Sequence, residues 1–144
     1  MVKNRVLVDS SVLISALLSD RGGSFYILRY LNDEFIFQIN EYILEEVRLN
    51  LNEKFSTKPY LKTKLFSIMV VGKIVILPYP PKAELSSAGN LPNKKDAPIL
   101  ASALIHSDYL LTLDNDFLSE SVLALADKQG LEILKPEDFI QRLE

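Results

Sequence analysis

The chain has 144 residues and a formal net charge of −3, with 48% hydrophobic and 24% charged residues. This length corresponds to one domain, residues 1–144, and the composition is that of an ordinary globular protein rather than a disordered or fibrous one. The sequence has no cysteine and one histidine, His106, which excludes disulfides, thiolate zinc sites and cysteine nucleophiles. No apolar run approaches the roughly 20 residues that cross a bilayer, and the first residues do not resemble a signal peptide. We therefore expect a cytoplasmic protein without membrane contact.

Short apolar runs alternate along the chain with longer segments of helical spacing. The first half predicts a strand at 5–8, helices at 12–18 and 24–31, a strand at 35–39 and helices at 41–52 and 61–71. The second half predicts a strand at 73–77, a long loop at 78–95, a buried helix at 97–105, a strand at 109–113, a helix at 118–128, a strand at 131–134 and a helix at 136–143. The predicted helix caps are Ser10 with Ser11, Ser24 and Asn40.

Alternation of this kind is typical of a parallel sheet covered by helices on both faces. The strands agree with it, because their nearly continuous apolar sequences suit burial on both sides. We predict an α/β protein, a three-layer α/β/α sandwich whose central, mainly parallel sheet has about five strands.

Acidic residues follow two of the predicted strands. Asp9 comes directly after the first strand, and Asp114 and Asp116 follow the strand at 109–113. Open parallel sheets bind their ligands beyond the carboxyl ends of the strands. If these two strands are neighbours, the three carboxylates meet in one crevice. Asp96, at the start of the buried helix, would face the same edge.

A fifth acid comes from the helix at 41–52. At about 100° per residue, Glu46 lies nearer than Glu45 to the apolar stripe of that helix. We therefore expect Glu46 to point inward and Glu45 to point to water.

Each of these acids also has a purely structural interpretation. Asp9 can end a strand, Asp96 can cap a helix, Asp114 and Asp116 can form a turn, and Glu46 can be a solvated helix residue. Acids gathered at one edge, however, repel one another and raise each other's pKa unless a cation or a proton offsets their charge. A metal site is the simpler interpretation, and an all-oxygen ligand set suits Mg²⁺ or Mn²⁺ rather than zinc.

Four segments in succession resemble the acidic motifs of PIN-domain proteins and together span nearly the whole chain. They are 9–16 (DSSVLISA), 43–47 (ILEEV), 96–103 (DAPILASA) and 111–117 (LTLDNDF). The resemblance implies an α/β/α fold and a ribonuclease that depends on Mg²⁺ or Mn²⁺. Many single-domain members are toxins of toxin–antitoxin pairs and form dimers. By the motif match, the metal-site acids are Asp9, Glu46, Asp96 and Asp114, with Asp116 as a fifth.

The first hypothesis is therefore a metal-dependent endoribonuclease that hydrolyses RNA phosphodiesters with a metal-activated water. Asp9, Asp96 and Asp114 hold the ion, and Glu46 and Asp116 complete the shell, Asp116 as a further ligand. The expected partners are RNA, a small antitoxin protein and a second copy of the chain.

Two hydroxyls and a group of lysines are candidates for positioning the substrate. Ser10 or Thr112 would orient a carboxylate or the scissile phosphate. Although the net charge argues against non-specific coating of DNA, lysines around an acidic pocket can still meet phosphates. They are Lys54, Lys58, Lys62, Lys64, Lys94 and Lys95. The predicted loop at 78–95 and the basic stretch at 55–64 are the expected RNA contacts.

The alternative from another functional class is a catalytically inactive PIN-like module that binds RNA or protein. It predicts that the domain takes up no divalent ion and still binds its partner with the acids mutated. An Asp-x-Asp phosphatase built on Asp114 and Asp116 is disfavoured, since only 28 residues follow Asp116. A serine hydrolase would need His106 as its base. The pattern places His106 at the carboxyl end of a helix, where an imidazole interacts favourably with the helix dipole. This structural role disfavours the serine hydrolase.

Overall fold

The computed structural model describes residues 2–89, 91 and 93–144. Its five strands form one sheet in the order β3-β2-β1-β4-β5, and every neighbouring pair is parallel. The strands are β1 (Asn4–Val8), β2 (Phe35–Asn40), β3 (Val75–Leu77), β4 (Tyr109–Leu111) and β5 (Glu132–Leu134). The prediction of a parallel sheet of five strands is confirmed.

Eight α-helices connect or follow these strands in the described part of the chain. They are α1 (Ser10–Leu18), α2 (Gly23–Tyr30), α3 (Glu41–Lys54), α4 (Tyr60–Val71), α5 (Lys82–Leu85), α6 (Ala97–His106), α7 (Glu120–Lys128) and α8 (Pro136–Arg142). Three 3₁₀ turns lie at Ser86–Ala88, Lys94–Asp96 and Asn115–Leu118. Over the residues described, no helix combines the length and the apolar character that a membrane span requires.

The helices form two layers around the sheet. Helices α1, α2 and α4 contact one another and α8 packs on α2. Helix α6 packs on β1 and β4, and α5 packs on α6. The chain runs outward from β1 to β3 and then returns to β4 on the other side of β1. Since parallel crossovers are right-handed, this reversal places the two sets of helices on opposite faces. The α/β/α sandwich predicted from the sequence is confirmed.

The reversal also creates a crevice at the carboxyl ends of β1 and β4. These two strands are paired, with Val8 opposite Leu111, and the Asp9 N–H donates to the Leu111 carbonyl at 3.0 Å. The residues that follow β1 and β4 therefore emerge side by side, at the position where ligands of open parallel sheets bind.

Several predicted boundaries are wrong, each for a local reason. Asp9 caps α1 in place of the two serines, because its carboxylate accepts from the Ser10 N–H. Helix α2 begins at Gly23 with Gly22 as its N-cap, so Ser24 lies inside it. Strand β3 begins only at Val75, since Lys73 takes a left-handed conformation with φ 53°.

The predicted loop at 78–95 and the two segments around β4 also differ from expectation. Half of the predicted loop consists of short helical turns, namely α5 and two of the 3₁₀ turns. Asn90 and Pro92, which the loop prediction included, lie outside the described residues. Strand β4 ends at Leu111 because side-chain hydroxyls, described below, bind the backbone N–H groups of Leu113 and Asp114. Helix α7 begins at Glu120, after the 3₁₀ turn that Asp114 caps.

Asn40 joins the two helical layers at the end of β2. It is fully buried, and its Oδ1 accepts from the Ile43 N–H at 2.8 Å, which caps α3 as predicted. Its Nδ2 donates to the Pro98 carbonyl at 3.0 Å and to the Ser102 Oγ at 2.9 Å, both on α6. One amide thus satisfies three buried polar groups and fixes α6 relative to α3.

We expect Asn40→Ala to lower the free energy of unfolding by about 2–4 kcal/mol, since it removes a cap and leaves buried groups unpaired. Urea denaturation measures this loss. The matched control is Asn52→Ala on the exposed side of α3, which should change stability by less than about 0.5 kcal/mol. Equal effects of the two substitutions would contradict the role assigned to Asn40.

Candidate metal centre

Asp9 is the most buried acid of the crevice, with 3% of its surface exposed. Its Oδ1 accepts from the Ser10 N–H at 2.8 Å, and its Oδ2 accepts from the Ser11 and Thr112 hydroxyls, both at 2.8 Å. A carboxylate that accepts several hydrogen bonds is held in one orientation. Asp9 is therefore fixed at the junction of β1, α1 and β4.

The two hydroxyls that bind Asp9 also organise the chain after β4. The Ser11 Oγ accepts from the Leu113 N–H at 3.1 Å, and the Thr112 Oγ1 accepts from the Asp114 N–H at 3.0 Å. Thr112 was a predicted positioning residue, whereas Ser11 was not among the predicted site residues. The sequence does contain a signal for Ser11, because it lies two residues after Asp9 in a Ser-Ser pair of which either hydroxyl could face the crevice.

Three aspartates meet beside this junction. Asp96, Asp114 and Asp116 each offer a carboxylate oxygen, and these oxygens lie within 4.8 Å of one another. Asp96 is buried at the start of α6, Asp114 is half-buried and Asp116 is exposed. The turn interpretation of Asp114 is also correct, since its Oδ1 accepts from the Asp116 N–H at 2.9 Å. By contrast, Asp96 makes no capping hydrogen bond to α6 among the described residues.

Glu46 reaches the same crevice from α3. Its Oε1 accepts from the Ser10 Oγ at 2.8 Å, and the same hydroxyl lies 3.4 Å from the Asp9 Oδ1. Glu46 is half-buried and Glu45 is exposed, as the helical phase predicted. Ser10, a predicted positioning residue, thus bridges two of the acids. The structure brings all five predicted acids to one edge of the sheet.

The environment raises the pKa of three of these carboxyls. Burial is the main cause for Asp96, and the charges of the other four acids add to it, so its pKa rises to about 7. Burial also raises the pKa of Asp9, although the hydrogen bonds from Ser11 and Thr112 oppose it. The pKa of Glu46 is raised by burial and by the neighbouring aspartates, against the Ser10 hydrogen bond and the charge of Lys95. Full ionisation of the cluster therefore disfavours the folded state.

Two further side chains, Tyr42 and Lys95, lie beside the cluster, and neither was predicted as a residue of the acidic centre. Tyr42 lies one helical turn before Glu46, and burial and the nearby acids raise its pKa to about 12. Lys95, predicted only as one of several rim lysines, shares with Tyr42 and Glu46 the lining of an opening of about 370 Å³. The signal for Tyr42 was its spacing of four residues from Glu46 in a predicted helix, which places the two side chains next to each other.

The donor set fits a hard divalent cation. Such ions bind oxygen ligands, and a carboxylate cluster open on one side leaves room for water and a phosphate. A cation would also offset the repulsion that raises the pKa of Asp96. The cluster of three aspartates and the pair of Asp9 and Glu46, which the Ser10 hydroxyl bridges, are adjacent parts of one acidic centre.

Comparisons with known proteins agree with this architecture. The family model described as "PIN domain" matches residues 6–120. The crystal structure of PAE2754 from Pyrobaculum aerophilum superposes with a TM-score of 0.65 at 19% identity, covering 97% of this chain and 89% of that one. VapBC2 from Rickettsia felis, bound to a DNA fragment from its promoter, gives a TM-score of 0.66 at 15% identity and covers 91% of this chain and 98% of that one. A search of curated proteins gives no match. With the family model matching most of its length, the chain belongs to the PIN-domain family.

Proposed function

We propose that this protein is a metal-dependent endoribonuclease that hydrolyses RNA phosphodiesters at the acidic centre. The observation that carries the proposal is the group of three aspartate oxygens within 4.8 Å of one another, beside a buried fourth aspartate, at the carboxyl edge of the sheet. Membership in the PIN-domain family supports it, as does an oxygen-only donor set that suits Mg²⁺ or Mn²⁺.

In this proposal Asp96, Asp114 and Asp116 hold the ion together with Asp9, and Glu46 completes the shell. An ion of this kind lowers the pKa of a water ligand, orients a phosphodiester and neutralises charge that develops on the leaving oxygen. The protein's own contribution is positioning. Ser11 and Thr112 keep Asp9 fixed and hold the backbone of Asp114, while Ser10 keeps Glu46 at the mouth of the crevice.

We also propose that the protein is the toxin of a toxin–antitoxin pair. The likeness to VapBC2 supports this proposal. So does an apolar groove of about 590 Å³ between α3, α4 and β3, which includes Phe66 and Ile76, both substantially exposed. Exposed apolar surfaces of this kind are typically covered by protein partners. The homodimer and the cytoplasmic location expected from the sequence stay predictions.

The metal proposal predicts how stability depends on pH and on Mn²⁺. In chelator, the free energy of unfolding should fall as the pH rises from about 4 towards 7, because the folded state holds a proton on Asp96 that the unfolded chain releases near its ordinary pKa of 3.8. Asp96→Asn should flatten this fall. At pH 7, Mn²⁺ at 100 times its Kd should stabilise the wild type by about 2.7 kcal/mol and the variant far less.

The control for this experiment is Asp127→Asn, which makes the same charge change at an exposed position of α7. It should keep the pH dependence and the Mn²⁺ response of the wild type. Unfolding curves followed by circular dichroism measure both quantities. A wild type whose stability is indifferent to Mn²⁺ would overturn the metal centre and favour the inactive binding module.

The ribonuclease proposal predicts that single-stranded RNA is cleaved with Mg²⁺ or Mn²⁺ and not with chelator. Asp96→Asn and Asp114→Asn should each slow cleavage at least about 100-fold, since each removes charge that the reaction requires. Asp127→Asn should cleave at the wild-type rate. Gel analysis of a 5′-labelled RNA gives these rates. RNA binding without cleavage by the wild type would instead support the inactive module.

The toxin proposal predicts that induced expression of the wild type arrests bacterial growth while Asp96→Asn does not. Co-expression of a small protein encoded beside the gene should relieve the arrest. Phe66→Asp, which places a charge in the apolar groove, should keep the arrest and prevent the relief. Colony counts after induction measure both effects. Arrest by Asp96→Asn as well would show that toxicity does not come from the acidic centre.

A further inference from the structure

The opening beside Glu46 has two chemically different sides. Its lining consists of Tyr42, Glu45, Glu46, Leu49, Asn50, Glu53 and Lys95, and its volume is about 370 Å³. Among the residues that the structure describes, Lys95 is the only cation in this lining, and its charge acts on Glu46. The other side carries acids together with the apolar surfaces of Tyr42 and Leu49. A phosphate is attracted to the first side and repelled by the second.

Tyr42, which lines this opening, packs against a second tyrosine, Tyr79. The rings of Tyr42 and Tyr79 meet edge to face with their centroids 5.9 Å apart. Tyr42 is half-buried, whereas 48% of Tyr79 is exposed. Tyr79 stands between Pro78 and the buried Pro80, and proline rings restrict both their own backbone and that of the preceding residue. The exposed ring is therefore held in place by Tyr42 below it and by a stiff backbone.

On the proposed function, we infer that this opening and the adjoining ring of Tyr79 together bind the nucleotide next to the scissile phosphate of a single-stranded RNA. Lys95 contacts the phosphate, and Tyr79, supported by Tyr42, stacks on the base. The acids of α3 direct the phosphate to Lys95, because Glu45 and Glu53 repel it from the α3 side of the opening. Tyr42 suits its place beside the acids, since a neutral phenol adds no negative charge there.

Stacking on an aromatic side chain requires an unpaired base. The inference therefore narrows the substrate to single-stranded RNA and excludes a continuous duplex. Because every base has a π face, stacking tolerates any base, so this position should contribute affinity with little preference for sequence.

The test uses the full chain and 5′-labelled RNA pentamers, with binding measured in chelator and cleavage measured in Mn²⁺. Tyr79→Leu should weaken binding about tenfold, equivalent to about 1.4 kcal/mol, and Tyr79→Phe should bind as the wild type does. Tyr30→Leu, which removes another exposed tyrosine on α2, is the matched control and should have no effect.

Pentamers with one abasic nucleotide identify the stacked base. At one position, loss of the base should weaken wild-type binding about tenfold and should not weaken the binding of Tyr79→Leu further. Independent effects of the abasic site and of Tyr79→Leu at every position would overturn the stacking role.

Lys95 is tested by the salt dependence of binding. Lys95→Ala should reduce the slope of log K against log salt by about 0.7, the value for one phosphate contact in a single strand. Lys128→Ala, at an exposed position of α7, should leave the slope unchanged. If the wild type cleaves and binds RNA but Tyr79→Leu and Lys95→Ala behave like their controls, the inference fails and the proposed function stands. If the wild type neither binds nor cleaves RNA, the proposed function fails first.

Discussion

A buried carboxylate that joins two central strands governs the geometry of this protein's acidic centre. Asp9 leaves β1 and accepts hydrogen bonds from hydroxyls on both sides of the crevice, one of them from Thr112 after β4. Those hydroxyls in turn accept from backbone N–H groups that follow β4. The same contacts that satisfy the buried charge therefore set where Asp114 stands. The same hydrogen bonds thus determine the position of the acids and contribute to the stability of this edge of the sheet. A substitution at Asp9 therefore affects both.

The acidic centre also destabilises the folded protein when its carboxylates are charged. Its acids are gathered where burial and mutual repulsion disfavour their charged forms, and the pKa of Asp96 near 7 is the clearest sign. Lys95 offsets only part of this charge. A purely structural cluster would be better served by neutral side chains, since an uncompensated buried charge is expensive. Concentrated acidic charge of this kind is more usual at functional sites, and it is the physical reason for preferring a cation here over a set of caps and turns.

The sequence predicted what depends on local pattern. Alternating strands and helices predicted the sandwich. Acids directly after apolar runs predicted Asp9, Asp114 and Asp116, the start of an apolar helix predicted Asp96, and helical phase separated Glu46 from Glu45. Strand order was not predictable in this way, because the pairing of β1 with β4 joins distant segments. The contact of Ser11 with the Leu113 N–H and the Tyr42–Tyr79 pair were missed for the same reason, since both join residues that meet only in the folded chain. The segment at 78–95 was misread because its prolines and glycine mask short helical turns.

The acidic centre can form only late in synthesis of the chain, because its residues are far apart in the sequence. The contact between Asp9 and Thr112 spans 103 positions of sequence, and the aspartates of the cluster lie on both sides of β4. Synthesis proceeds from the amino end, and domains generally fold as units, so a nascent chain carries Asp9 long before it carries Thr112 or the aspartates that follow β4. No fragment that stops before β4 can assemble the centre. On the proposed function, a polypeptide still held by the ribosome is thus unable to attack the messenger that encodes it until the codons for β4 and for Asp116 have been read.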